Sequence, residues 1–144
     1  MSSSSSGAEG RVATLLAESF EVLSQEHREA HARMCERLAG LSVLLEVEEE
    51  RFAAVFSSRR AWVVPPSGGE VARVTTRRRT VLDVLDDRQS LTDAVLTDAV
   101  EVVGPLPTLL RLHEGLVVYV QGAVRCPGFV PLLHRLREAA ISSP

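Results

Sequence analysis

The sequence contains no lysine and no asparagine, and aromatic side chains make up only 4% of its 144 residues. All 16 basic residues are therefore arginine, which we interpret as a bias in genome composition rather than as a design for binding. With so few aromatic rings, the core must be aliphatic. An aliphatic cavity can accept apolar ligands but offers them little specific ring stacking. The chain also lacks a wide basic field with interleaved aromatics. Together with the net charge of −3, this argues against a nucleic-acid partner.

Cysteine is equally scarce, since Cys35 and Cys126 are the only two. Two isolated cysteines indicate a reducing compartment rather than a disulfide framework. No apolar stretch reaches the ~18 residues that a membrane-spanning helix needs. The first residues, Met1, the run Ser2–Ser6 and Gly7, have neither the positive start nor the apolar centre of a signal peptide. We therefore predict a flexible Ser-rich tail over residues 1–8 and a cytoplasmic protein.

The periodicity of apolar residues changes along the first half of the chain. From Ala8 to Leu41 the spacing is helical and proline is absent, which predicts one long helix or two stacked ones with a break near Ser24. Beyond Gly40 the pattern alternates, which predicts strands over residues 43–47, 52–56 and 71–76. Residues 61–64 form a further strand or continue the second one after a bulge. A strong turn at Pro65–Gly69 completes what reads as an antiparallel meander.

Two short helices and a strand are predicted next. Thr80–Asp83 and Ser90–Asp93 both resemble capping boxes, and they open helices over residues 81–86 and 91–97. Residues 99–103 form a short strand, and helical spacing returns from Leu106 and again from Pro131. Clustered strands with segregated helices are typical of an α+β fold. We predict a single two-layer domain over residues 9–141, with a mostly antiparallel, mixed sheet of about five strands covered by helices.

The segment Thr75–Leu116, TTRRRTVLDVLDDRQSLTDAVLTDAVEVVGPLPTLLRLHEGL, resembles the second half of the sterol carrier protein type-2 domain. The family pattern is a strand, a short helix, a Ser-Leu pair, a second short helix, a hydrophobic strand ending in glycine and a leucine-rich helix. The chain departs from it at Asp87 and near Asp98, where the family often has glycine, and at Pro105, where it often has an acidic residue. The residues that match the pattern are Leu82, Leu85, Ser90, Leu91, Ala94, Leu96, Val102, Gly104, Leu109 and Leu110.

The resemblance implies an apolar tunnel between sheet and helices that binds a sterol, a fatty acyl chain or an isoprenoid-type lipid, with no cofactor. Our first hypothesis is accordingly a non-catalytic lipid-binding or carrier domain, held to its ligand by apolar burial. The residues expected to line the cavity are Leu82, Leu85, Leu91, Val95, Leu109, His113, Val117, Val120, Leu133 and Leu136.

His113 supports a second hypothesis, because it interrupts an apolar stripe on the helix predicted from Leu106. A small cofactor-free enzyme of the cyclase or isomerase type would use it as the acid–base on a hydrophobic natural product. The simpler interpretation is a core histidine whose hydrogen bonds are satisfied by the protein. Tyr119 lies off the same stripe and is expected at the cavity rim. Neither a catalytic motif nor a glycine-rich phosphate loop is present.

Three further features of the sequence have alternative interpretations. His27, His31 and Cys35 share a helical face, but the third lies two turns from the first, so a buried helix seam is favoured over a metal site. Arg77–Arg79 suits the binding of a phosphate or carboxylate or a transient contact with an anionic membrane surface, although a solvated strand end is the commoner explanation. A third hypothesis is an interaction module, in which the stripe of the first helix forms a homodimer.

Overall fold

The computed structural model describes residues 11–142, so the predicted tail over residues 1–8 lies outside it. Within residues 11–142 no helix combines the length and the apolar character needed to cross a bilayer. In chain order the elements are α1 (Val12–Glu26), α2 (Arg28–Leu38), β1 (Ser42–Val47), β2 (Glu50–Phe56), β3 (Ala61–Val64), β4 (Ala72–Thr76), α3 (Arg78–Leu85), α4 (Leu91–Leu96), β5 (Glu101–Val103), α5 (Leu106–Ala123) and α6 (Phe129–Ser142).

The first helical region is two helices, and they meet at His27 rather than near Ser24. His27 leaves helical geometry with φ −143° and ψ 71°, and its Nδ1 accepts a hydrogen bond from the backbone N–H of Ala30 at 3.3 Å. It therefore caps the start of α2. Ser24 stays inside α1 because its hydroxyl donates to the carbonyl of Glu21 at 2.7 Å, a local bond compatible with a helix.

The five strands form one sheet in the order β3-β2-β1-β4-β5. The predicted α+β class and the mixed sheet are confirmed, but the simple meander is wrong at β4. This strand does not pair with β3; it lies beside β1 in parallel, with Val43 opposite Ala72. Three strand spacings, roughly 14 Å, separate β3 from β4. The residues between the two strands are long enough for that distance, and they begin with two prolines that cannot donate to a sheet ladder.

The helices cover one face of the sheet, and the buried apolar residues of that inner face join two hydrophobic clusters with α1–α6. The contact between α2 and α5 is especially close because of two glycines on α5. A Cβ on Gly115 would collide with the side chain of Leu38, and one on Gly122 would lie 2.8 Å from the Cβ of Ala30. Most of the apolar stripe of the first helices, including Leu23, is buried in these contacts.

Two of the departures from the family pattern fall where the backbone is left-handed. Asp87 has φ 61° and Asp98 has φ 62°, each just after a short helix. Glycine adopts this conformation freely, and aspartate tolerates it better than most other residues. The substitutions at these turns therefore preserve the path of the chain.

Candidate functional site

Three adjoining apolar cavities lie inside the fold, the two larger ones between the inner face of the sheet and the helices, and the smallest among helices α1, α3, α5 and α6. Their volumes are about 150, 70 and 50 Å³, and nearly all of the lining is apolar. Leu16 of α1 and Tyr119 of α5 line all three. The three cavities therefore adjoin one another at these two side chains.

The largest of the three apolar cavities, hereafter the largest cavity, is lined by alternate residues of the strands and by two short helices. Leu45, Val47 and Val74 point inward from β1 and β4, as residues two apart on a strand must. Val84 and Leu85 of α3 and Leu91 of α4 close the opposite side. The complete lining of this cavity is Val12, Leu16, Leu45, Val47, Phe52, Val74, Thr76, Thr80, Val81, Val84, Leu85, Leu91, Val100, Leu116, Tyr119 and Val120.

The junction of the cavities holds a pair of buried hydroxyl groups. The hydroxyl of Ser19 donates to the carbonyl of Leu16 at 2.7 Å, so Tyr119 is the donor in its 2.7 Å hydrogen bond to Oγ of Ser19. Burial raises the pKa of Tyr119 to about 12, although the bond to Ser19 acts in the opposite direction. Tyr119 is therefore neutral near pH 7, and its oxygen is a hydrogen-bond acceptor in otherwise apolar surroundings.

The structure brings about half of the predicted lining residues to the cavities. Leu85, Leu91 and Val120 line the largest one, and Leu85, Leu133 and Leu136 line the smallest. The others are placed elsewhere in the packing. Val95 and Leu109 pack against the first hydrophobic cluster and Leu82 against the second, while His113 and Val117 are half-buried and line none of the three cavities.

The predictions for α5 that differ from the structure share one cause: the sequence pattern indicated the wrong face of this helix as the inward one. The buried positions of α5 are Leu112, Gly115, Tyr119, Gly122 and Ala123, not the stripe that contains His113. Two of these five are glycine, which contributes no apolar signal to a periodicity count. Tyr119 consequently lies at the centre of the site rather than at its rim, and the cavities lack the histidine that an acid–base mechanism would require.

The histidines and cysteine of the first helices form no metal site. His27 caps α2, and the ring of His31 is 3.8 Å from the sulfur of Cys35 through Nε2. Burial raises the pKa of the Cys35 thiol to about 11 and lowers the pKa of His31. Within residues 11–138, no group of three or more His, Cys, Asp or Glu side chains could hold a metal ion.

A polar recess of about 510 Å³, larger than any of the three apolar cavities, adjoins the apolar cavity of about 150 Å³, and Phe52 lines both. Glu50 joins three elements there. One of its oxygens accepts from the backbone N–H of Val12 at 2.9 Å and from Nη2 of Arg78 at 3.0 Å, and the other accepts from the N–H of Ala13. Glu48 accepts from the N–H of Arg78 at 3.2 Å. The hairpin β1–β2 thus holds the first residues of α1 and α3 together at one end of the cavity.

Arg78 is the only member of the run Arg77–Arg79 that is largely buried. Its side chain is 16% exposed, and its Nε is buried without a hydrogen-bond partner among the described residues. Arg77 and Arg79 are exposed. The run is therefore divided between a structural ion pair and two solvated side chains, and sequence spacing alone did not distinguish them.

Solved structures of sterol carrier domains share this architecture. A structure described as the UbiJ-SCP2 ubiquinone synthesis protein is 26% identical, covers 68% of this chain and 84% of its own, and has a TM-score of 0.52. A sterol carrier protein 2 is 15% identical over 76% of this chain and 96% of its own, with a TM-score of 0.54. Domain 2 of the sterol carrier protein of Helicoverpa armigera is 12% identical over 72% and 84%, with a TM-score of 0.53.

Neither a protein-family model nor a curated protein sequence matches the chain. The structural matches nevertheless confirm the resemblance predicted from Thr75–Leu116 and confirm the fold.

Proposed function

We propose that this chain, which has the fold of the sterol carrier protein 2 domains, binds an apolar ligand between its sheet and its helices and carries it without catalysing a reaction. The observation that carries the proposal is the set of adjoining apolar cavities that meet at Leu16 and Tyr119. The names of two of the similar structures, both sterol carriers, support the same class of ligand. A sterol, a fatty acyl chain or an isoprenoid-type lipid would fit this chemistry.

Affinity for such a ligand would come from burial of apolar surface, which contributes about 2.5 kcal/mol for each 100 Å² removed from water. The largest cavity, about 150 Å³, is smaller than the ~300–1,000 Å³ of typical ligand sites. Binding would therefore require the three cavities to merge, with Leu16 and Tyr119 changing rotamer and the short helices moving outward. Each of these short helices has a single buried residue, Val84 in α3 and Ala94 in α4.

The end of the cavity beside Glu50 and Arg78 is the entrance in this proposal. There the wall consists of side chains and helix starts held by one hairpin, rather than of continuous sheet. Separation of α1 from α3 would expose Val12, Phe52 and Val81, all of which line the largest cavity. A cytoplasmic location and a transient contact with a membrane surface remain predictions from the sequence, and the exposed Arg77 and Arg79 beside this entrance suit the latter.

The experiment that tests the proposal is ligand capture by the full chain. Protein purified from cells is examined by native mass spectrometry, and ligand-free protein is titrated with a fluorescent fatty acid and with a fluorescent sterol. We expect a bound species, or uptake of at least one probe at one molecule per chain. Recovery of only ligand-free protein together with no uptake of either probe would contradict the proposal.

A matched pair of variants locates the site. Leu116→Trp fills the space shared by the two larger cavities, whereas Leu110→Trp adds the same ring to an exposed position of the same helix. We expect the first change to weaken uptake at least tenfold and the second to leave it unchanged. His113→Gln serves as a further control, since the second hypothesis gives His113 a role that the carrier proposal does not.

A further inference from the structure

The face of the sheet that the helices leave uncovered is also apolar. Alternation and register place Leu44, Val55, Trp62 and Val64 on this outer face, opposite in direction to the residues that line the cavities. Ala53 shows the arrangement most clearly. This residue is only 1% exposed, yet it belongs to neither hydrophobic cluster, as its outward position on β2 predicts. None of these five residues lines the three cavities.

The strand register arranges the outer face in rows. One row crosses all five strands and is apolar except for Arg73, which is 3.8 Å from Glu46: Val64, Ala53, Leu44, Arg73 and Val103. The next row, toward the start of β1, carries Trp62, Val55 and Ser42, and the guanidinium of Arg60 stacks over the Trp62 ring at 5.0 Å. The row on the other side is polar and reads Arg51, Glu46, Thr75 and Glu101 from β2 to β5.

We infer that this face binds a second copy of the chain, sheet against sheet. A two-fold axis along β1 reverses the order of the strands while keeping each row over itself. It lays Leu44 over its own counterpart and Val64 over Val103 of the partner subunit. In the polar row it lays Glu46 over its own counterpart, and it brings Arg51 within one strand spacing of Glu46 of the partner subunit and of Glu101 of the partner subunit; symmetry repeats each pairing. Arg51, which lies 3.0 Å from Glu46 within the chain, therefore offsets the two glutamates that meet at the axis.

The other occupants fit this face less well. An anionic bilayer selects basic surfaces, whereas this border carries both signs. The cavity entrance by Glu50 lies among the helix starts, so docking through the outer face would do nothing to bring it to a membrane. The segment before residue 11 is MSSSSSGAEG, which has too little apolar surface to cover a sheet face.

The size of the face predicts a weak dimer. Four strand spacings span roughly 19 Å, and four residues along a strand span roughly 13 Å. The footprint is therefore several hundred Å² per copy, below the ~800 Å² per partner of a standard interface. We expect a reversible dimer with a dissociation constant on the order of micromolar to tens of micromolar.

Trp62 is the only tryptophan of the chain, so it reports on the face directly. Light scattering after gel filtration and sedimentation are measured from about 1 to 300 µM on the full chain, alongside tryptophan emission. We expect dimer formation with rising concentration and a shift of the emission to shorter wavelength. Val64→Arg and Val103→Arg, on opposite edges of the sheet, should each weaken association at least tenfold. Leu110→Arg, at an exposed position of α5, should not.

A charge swap tests the pairing itself. Arg51→Glu and Glu101→Arg should each weaken the dimer severalfold, and the double variant should regain the part of the loss that comes from their pairing across the interface, but not the part that comes from the ion pair of Arg51 with Glu46 within the chain. Circular dichroism and thermal melts confirm that each variant is folded. A chain that stays monomeric to 300 µM would overturn the inference. So would equal effects of Leu110→Arg and Val64→Arg, or vesicle binding that Val64→Arg abolishes while the chain remains monomeric.

Discussion

The hydroxyl of Tyr119 lies 2.7 Å from Oγ of Ser19, which links α5 to α1 at the point where the three cavities meet. The phenol ring also packs edge-on against two other rings, with centroids 5.9 Å from Phe20 and 6.0 Å from Phe129. Ring contacts of this kind fix the position of the phenol, and its hydroxyl finds a partner as buried tyrosines usually do. The pair therefore both holds the two helices together and provides the polar atoms in the centre of the site.

Tyr119→Phe tests both roles. Removing the phenol hydroxyl leaves Oγ of Ser19 without its donor, so we expect the free energy of unfolding to fall by about 1 kcal/mol. Ser19→Ala should cost a similar amount, and the double variant less than the sum, because the two changes remove the same bond. Denaturant unfolding measures these differences. If the proposed function holds, Tyr119→Phe should also weaken the binding of the fluorescent sterol, which carries a hydroxyl donor. The binding of an acyl probe without a hydrogen-bond donor should be weakened less.

Gly115→Ala should destabilise the fold by about 2 kcal/mol or more. The added Cβ would meet three atoms of the fully buried Leu38, and α2 and α5 would have to separate to accept it. Gly69→Ala provides a matched control, since a Cβ there would lie 3.7 Å from Oγ of Ser67, an ordinary contact, and the residue is exposed. Equal melting temperatures for the two variants would contradict the close packing of α2 on α5.

Gly115 also explains which parts of the molecule the sequence could and could not predict. The strands and α4 were predicted because alternation and capping signals are local, and the hydroxyl of Ser90 accepts from the N–H of Asp93 at 3.0 Å. The capping box predicted at Thr80 is wrong, because α3 begins earlier, at Arg78, and has no side-chain cap. The side of α5 that points inward was not predicted, because the inward residues include glycines, which are required by close packing rather than by hydrophobicity. The pairing of β4 with β1 and the meeting of Glu50 with Arg78 depend on contacts distant in sequence, which local patterns do not encode.

The ion pair of Glu18 with Arg135 predicts a loss of stability in acid. The guanidinium donates to both carboxylate oxygens, at 2.8 and 2.9 Å, which joins α1 to α6. The hydrogen bond to Arg135 lowers the pKa of Glu18 below its ordinary 4.5, with burial acting against it. A lowered folded-state pKa means that this stabilisation is complete above the unfolded-state pKa and is lost as pH falls through the folded-state value.

We therefore expect Glu18→Gln to be less stable than the parent chain near pH 7, by under about 1 kcal/mol because the pair is partly exposed. The two proteins should converge as the pH falls through the lowered pKa of Glu18 in the folded state, since the carboxyl group of the parent is then protonated too. Urea unfolding at several pH values measures the difference. A gap between parent and variant that stays constant from pH 7 to pH 2.5 would show that the charge of Glu18 contributes nothing.

Glu50→Gln should loosen the start of α1 and α3 more than an ordinary ion-pair change would. Glu50 and Arg78 are only 15% and 16% exposed, and Glu50 also accepts the backbone N–H groups of Val12 and Ala13. A neutral amide has one carbonyl oxygen in place of two carboxylate oxygens, and it leaves the Arg78 charge half-buried without its partner. We expect a loss of about 2 kcal/mol, less than the cost of breaking a fully buried pair.

The control for this prediction is Glu114→Gln, which removes the ion pair of Glu114 with Arg37. The side chain of Glu114 is 57% exposed and that of Arg37 is 54% exposed. That change should alter stability by no more than a few tenths of a kcal/mol, about the worth of an exposed ion pair. Hydrogen exchange should then show faster opening at Val12 and Ala13 in Glu50→Gln but not in Glu114→Gln, because their amides lose a carboxylate acceptor only in the first variant.

If this end of the cavity is the entrance, bound fluorescent lipid should also exchange several times faster in Glu50→Gln than in the parent chain. Faster amide exchange with unchanged lipid exchange would separate the two ideas, because the helix starts would then be held by Glu50 while the ligand entered elsewhere.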